Sequence, residues 1–206
     1  MTLQKNYKTI FDNLKDGDCL AFYSNEWFTQ IIPLLTKEKG DKEAPQHVGI
    51  CYDVKKEGSI LSFNLSEQSI HGGRFRQINI AKIDNIYYLY EIEDIDYFNK
   101  QTKIILLSLK EPVLADKIML GKQDALKEVG KKYGYSRLIL GWEFLEKLLP
   151  KKFLSTLLLR LNKNEKLRVC STHVQFNLIK LGYNLSKDTF LTPLEITKLP
   201  IFNVYI

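Results

Sequence analysis

The sequence predicts an α+β domain, with an antiparallel sheet in its first half and helices in its second. Two patterns carry this. Between residues 47 and 109, short segments rich in β-branched and aromatic side chains are separated by turn-forming residues. From residue 113 to 181 the apolar residues fall instead at helical spacing. The chain has 206 residues, 45% of them hydrophobic, enough for one full core, so 1–206 reads as a single domain.

Element by element, Lys15-Asp-Gly-Asp18 reads as a turn and Cys19–Tyr23 as a short strand. Glu26–Leu35 has helical apolar spacing, with Pro33 near its end, and 36–46 is a charged loop containing Gly and Pro. His47–Val54 and Ser59–Leu65 read as a β-hairpin turning at Lys55–Gly58. A loop at Ser66–Gly73 is expected next, then strands at Arg74–Ile80, Ile86–Ile92 and Lys103–Leu109. Val113–Lys132 is a helix with Ile118, Ala125 and Val129 on one stripe. Leu138–Leu161 is Leu-rich and broken at Pro150. Ser171–Leu181 is apolar on more than one side, the mark of a buried helix, and Gly182 stops it. The tail, Leu191–Ile206, ends in a strand.

Charged residues make up 26% of the chain, the net charge is +6 and the isoelectric point is about 9.0. This balance is compatible with an anionic partner such as a membrane surface or cell-wall polymer. No dense basic run is present, and a nucleic-acid partner is not expected. Three cysteines, Cys19, Cys51 and Cys170, are an odd count without close spacing, which argues against a disulfide framework and against a structural zinc site. No metal and no cofactor are expected. The first residues lack the apolar core of a signal peptide, so the expected compartment is the cytoplasm. Lysines at 147, 151 and 152, with Pro150, keep the apolar stretches well short of the ~20 residues of a membrane span.

Cys170 is the candidate nucleophile. It follows the extended stretch Leu167-Arg168-Val169 and opens a helix, whose N-terminal amides favour the thiolate. Ser171 and Thr172 are placed to cap that end. Cys19 and Cys51 sit within apolar strands and read as core. His47, at the start of a strand behind a charged loop, is the candidate base. His71 reads as a solvated loop residue, and His173, one turn after Cys170, as a supporting residue. A catalytic imidazole needs an orienting group on its second nitrogen. If Asp53 pairs with Gly58, Asn64 opposes His47, which makes Asn64 the first candidate for that third position. Glu67 is the alternative, brought near by a register shift or a bulge.

These stretches together resemble the permuted branch of the NlpC/p60 papain-like superfamily, the YiiX/YebB-like proteins. Leu14-Lys-Asp-Gly-Asp18-Cys-Leu-Ala-Phe22 is similar to the opening Gly-Asp element, and His47-Val-Gly-Ile50 to the histidine strand. Gly73–Ile78 resembles the strand after the third catalytic position, and Gly130–Tyr135 the approach to the cysteine helix. Val169-Cys-Ser-Thr-His-Val174 is similar to the cysteine helix, Leu181-Gly-Tyr183 to its end, and Leu191–Ile196 with Leu199-Pro200 to the closing segment.

The resemblance implies a circularly permuted papain-like fold, a sheet or barrel packed on a central helix bearing the cysteine, with the histidine preceding the cysteine in the chain. It also implies a cysteine peptidase or amidase with Cys170 as nucleophile and His47 as base, working through an acyl-enzyme. The amides of Cys170 and Ser171 would contribute to the oxyanion hole. Relatives usually carry a Glu at the third position, where Asn64 falls at about the same spacing. The implied substrate is a peptide, a peptidoglycan fragment or another amide.

The Leu-rich 136–166 segment departs from the pattern and reads as a helical insertion, first as an extra packed helix pair, with a lid or a peripheral membrane contact through 136–161 as the alternatives. A second reading is lipid acyl transfer or hydrolysis. The lecithin:retinol acyltransferase relatives share the permuted order, and their cysteine motif is similar to Cys170-Ser-Thr-His173. A third is a non-catalytic ligand-binding member of the fold.

Overall fold

The computed structural model describes residues 6–24, 44–69, 72–91, 101–132, 168–187 and 191–206. The expected helix at Glu26–Leu35, the loop histidine His71, the segment approaching the cysteine helix from Tyr133 and the Leu-rich insertion lie outside the described residues. The described elements are α1 (Tyr7–Asn13), β1 (Cys19–Ser24), β2 (His47–Glu57), β3 (Ile60–Ser69), β4 (Gly72–Ile83), β5 (Ile86–Glu91), β6 (Gln101–Leu109), α2 (Ala115–Lys127), α3 (Cys170–Lys180), α4 (Pro193–Thr197) and β7 (Phe202–Tyr205). This is an α+β arrangement, as the periodicities predict.

The strands form one seven-stranded sheet in the order β5-β4-β3-β2-β1-β6-β7, with every neighbouring pair antiparallel. Both faces are buried. Ala21, Val48, Ile50, Tyr52, Ile105 and Leu107 face α3. Their alternates Leu20, Phe22, Cys51, Leu61, Phe63, Leu65, Ile78, Ile80, Ile104 and Leu106 face α1. A strand covered on both faces has no solvent side to mark with polar residues, which explains the unbroken apolar runs in β1 and β6. α1 touches both β5 and β6, strands five places apart in the sheet, so the sheet curls around it. On the other face α3 packs on β2, β3 and α2.

Two expectations need correction. Ser66–Ser69 is strand, not loop: β3 and β4 stay paired from Ile60↔Ala81 to Ser69↔Gly72. The β2–β3 register also differs from the one expected. Glu57 pairs with Ile60, and after a bulge Tyr52 pairs with Asn64 and Ile50 with Ser66. Asp53 and Val54 occupy the bulge, where Asp53 takes a positive φ of 55°. Its carboxylate accepts from Asn64 Nδ2 (2.8 Å) and Lys122 Nζ (2.6 Å), which fixes the irregularity. The expected turn is too wide: β2 continues through Lys55–Glu57, which pair despite being exposed, and only Gly58 and Ser59 are left to make the turn.

At the opening turn, Gly17 takes a φ of 86° and its amide donates to the Cys51 carbonyl (2.8 Å). Asp18 is buried and accepts from the amides of Leu109 (2.8 Å) and Lys15 (2.9 Å). The turn thereby ties β1 to both of its neighbours. Gly182, with a φ of 103°, ends α3 as expected.

Candidate active site

His47 starts β2 and is held there from β1. It pairs with Phe22, whose ring centroid lies 5.7 Å from that of the imidazole. The preceding Gln46 carboxamide donates to the Ser24 carbonyl (2.8 Å), clamping the strand entry. His47 keeps 13% of its side-chain surface exposed, against 2% for the whole of Cys170. The open approach to the pair is therefore on the imidazole side.

Cys170 opens α3 after the extended residue Val169. The Val169 amide donates to Thr172 Oγ1 (2.9 Å), and the first full helical bond runs from the His173 amide to the Val169 carbonyl (2.8 Å). Thr172 therefore caps this end. Ser171 is buried, and its hydroxyl makes no hydrogen bond among the described residues. The first-turn amides of α3 have no intrahelical acceptor and face the N-terminal end of the helix dipole.

The structure brings Cys170, His47 and Glu67 together and leaves Asn64 out. The Cys170 sulfur lies beside the His47 ring, near enough to help raise the imidazole pKa. His47 Nε2 donates to Glu67 Oε2 at 2.7 Å, which leaves Nδ1 for the sulfur. Asn64 opposes Tyr52 and bonds to Asp53 at the bulge, so the register that aligned it with His47 is not the one adopted.

Glu67 is 0% exposed at its side chain, and Arg76, 2% exposed, donates from Nη2 to Glu67 Oε1 at 2.5 Å. Both charged residues sit on inward-facing positions. Glu67 continues the alternation Leu61, Phe63, Leu65, and Arg76 continues Ile80, Ile78. His47 shares that face with Cys51. Arg76 was not singled out from the sequence. Its signal was there: a cation on the apolar parity of one strand, nine positions after a carboxylate on the apolar parity of the strand before it.

The charges in this cluster support one another. Burial alone would lower the His47 pKa, but the Glu67 carboxylate, with the Cys170 sulfur, reverses this and raises it to about 10. Burial would raise Glu67, and the His47 imidazolium and the Arg76 guanidinium outweigh it, holding the carboxyl below its ordinary range. An imidazolium beside the sulfur favours the thiolate.

His173 behaves differently. Burial, reinforced by Arg168, lowers its pKa to about 3, so it is neutral. Its Nε2 shares a hydrogen bond with Ser66 Oγ at 2.8 Å, while Asn177 Nδ2 donates to its carbonyl at 2.8 Å. It ties α3 to β3 directly below the nucleophile's turn.

No disulfide joins the three cysteines, and Cys19 and Cys51 are fully buried in the two cores. Among the described residues, no group of three or more His, Cys, Asp or Glu is arranged to hold a metal ion. No helix among them is long and apolar enough to cross a membrane. A cavity of about 490 Å³ lined by residues that include Lys15, Asp18, Leu109 and Ile118 lies at the start of β1 and includes none of the site residues. No family model matches the chain, and no curated protein matches it.

Proposed function

We propose that the protein is a cysteine hydrolase of the peptidase or amidase type, cleaving an amide bond in a peptide or peptidoglycan-like substrate. The observation that carries this reading is the line from the Glu67 carboxylate, bonded to the His47 imidazole, to the Cys170 thiol that lies beside this ring at a helix N-terminus. Such a chain is how a thiol is made nucleophilic near neutral pH: the imidazole takes the proton, and the carboxylate orients and stabilises the resulting imidazolium.

In this mechanism the Cys170 thiolate attacks the carbonyl carbon and a tetrahedral oxyanion forms. The backbone amides of Cys170 and Ser171, lacking helical acceptors, are placed to stabilise it. His47 donates its proton to the leaving amine, and an acyl-enzyme remains on the sulfur. His47, now neutral, removes a proton from water, which attacks the thioester and regenerates the thiol. Glu67 holds the ring throughout, so the third position is filled by Glu67 rather than Asn64.

The chain order, histidine strand before cysteine helix, with that helix packed on the histidine strand, supports the permuted NlpC/p60 papain-like fold as the architecture. Hydrolysis of peptide and peptidoglycan-fragment libraries tests the reading, with ester substrates in parallel to reveal a lipid-acyl specificity. Cleavage in the wild type and its loss in Cys170→Ala are expected. Full activity in Cys170→Ala would exclude the mechanism.

A further inference from the structure

Resting on the proposed thiol chemistry, we propose that Arg76 is a positioning residue that sets the charge state of the nucleophile. Its guanidinium is the counter-charge that allows Cys170 to be a thiolate while Glu67 is a carboxylate.

The reasoning is one of charge balance in a dry site. Glu67 and Arg76 are both almost wholly buried and in contact, and Glu67 in turn contacts His47. With Arg76 present, thiolate, imidazolium, carboxylate and guanidinium sum to a neutral cluster. Without it, the same cluster carries a net negative charge with little water to screen it. The least costly relief is a proton on the sulfur, which leaves His47 and Glu67 as a neutral pair. Arg76 thus reaches the nucleophile through Glu67 and His47.

Among the described residues, the charged groups on the neighbouring elements are largely matched among themselves. Asp124 on α2 pairs with Arg168, which precedes α3, at 2.6 Å. Glu128, just past α2, pairs with Lys131 at 2.7 Å. His173 on α3 is neutral. Arg74 on β4 adds a weaker pull on Glu67 than Arg76 does. β1 offers the apolar Phe22 ring. Among the described residues, the main charge balancing Glu67 from outside the dyad is therefore Arg76.

The experiment is the pH profile of Cys170 alkylation by iodoacetamide, with Cys19 and Cys51 as internal controls, in wild type, Arg76→Met, Arg76→Lys and the double variant Arg76→Met/Glu67→Gln. The inflection should rise by about one to three pH units in Arg76→Met, with at least a roughly tenfold slower reaction at pH 6. Arg76→Lys, which keeps the charge, should stay near wild type. The double variant should move back toward wild type, because removing the carboxylate restores neutrality to thiolate and imidazolium. An unshifted Arg76→Met, or a double variant shifted further than Arg76→Met, would overturn the proposal.

A second measurement covers a misfolded Arg76→Met and separates this proposal from the thiol chemistry. In a Cys170→Ala background, His47 of Glu67→Gln should deprotonate at lower pH than His47 of Glu67→Gln/Arg76→Met, read by NMR. Equal midpoints would overturn the role of Arg76 whatever the thiol does. A wild-type thiol with an ordinary inflection near ~8.5 would instead reject the functional reading.

Discussion

His47 Nε2 donates to Glu67 Oε2 at 2.7 Å, and this bond joins the first residue of β2 to a fully buried carboxylate near the end of β3. It fixes which nitrogen of the ring is left for Cys170. It also makes the protonation of His47 a property of two strands held in one register.

Glu67→Gln should remove the anion that overcomes burial at His47. The imidazole should then titrate about one to three units lower, and Cys170 alkylation at pH 6 should slow. Asn64→Ala should leave both profiles unchanged. It should cost about 1–2 kcal/mol of stability through the lost bond to Asp53 at the bulge. NMR titration and chemical denaturation separate the two residues; a larger His47 shift in Asn64→Ala would reverse the assignment.

Iodoacetamide at pH 6 should label Cys170 alone in the folded protein. Cys19 and Cys51 are fully buried, and burial pushes both thiols well above their ordinary range. Peptide mapping by mass spectrometry reads the outcome. Equal labelling of the three cysteines, or none, would contradict an activated Cys170.

The His47–Glu67 pair should make stability depend on pH at both ends. The His47 pKa is raised from 6.5 to about 10, so its contribution is complete below about 6.5 and is lost as pH rises through about 10. The Glu67 pKa is lowered from 4.5, so its contribution is present above about 4.5 and is lost as pH falls through the lowered value. Asp18 runs the other way. Burial raises its pKa from 3.8 to about 6, so its folded form holds a proton that the unfolded chain has released, and stability falls as pH rises between those values. Urea melts of wild type and Asp18→Asn across pH 4–7 should differ in slope, with the wild type losing more stability toward pH 7.

Gly73→Ala should destabilise the protein by about 2 kcal/mol or more. A Cβ there would lie 2.0 Å from the Glu128 carbonyl oxygen, a backbone atom that cannot swing aside. The Gly73 amide donates to Lys131 and the Gly130 amide donates back to Gly73, both at 2.9 Å, so the end of α2 is laid against the start of β4. A thermal melt within a degree of wild type would show that this close approach is not needed.

Local pattern made several elements legible. The alternation of β3 and β4, the apolar runs of β1 and β6 and the all-round apolar character of α3 follow from which faces are covered, and covering leaves a trace in residue type. Cys170 at a helix start and His47 at a strand start were readable for the same reason. The third position was not, because it depends on strand register. Register here is set by a bulge whose cause is a side-chain contact: the Asp53 carboxylate held by Asn64 and by Lys122, which comes from a helix 69 residues further along the chain.

The sequence by itself therefore determined the α+β class, the order histidine before cysteine, and the two elements that present them. Tertiary structure alone decided that Glu67 rather than Asn64 meets the imidazole, and that Arg76 meets Glu67. The physical reason is that a side chain's face is encoded within its own strand by a period of two, whereas its partner across the sheet is chosen by how far two strands slide before their buried charges are matched.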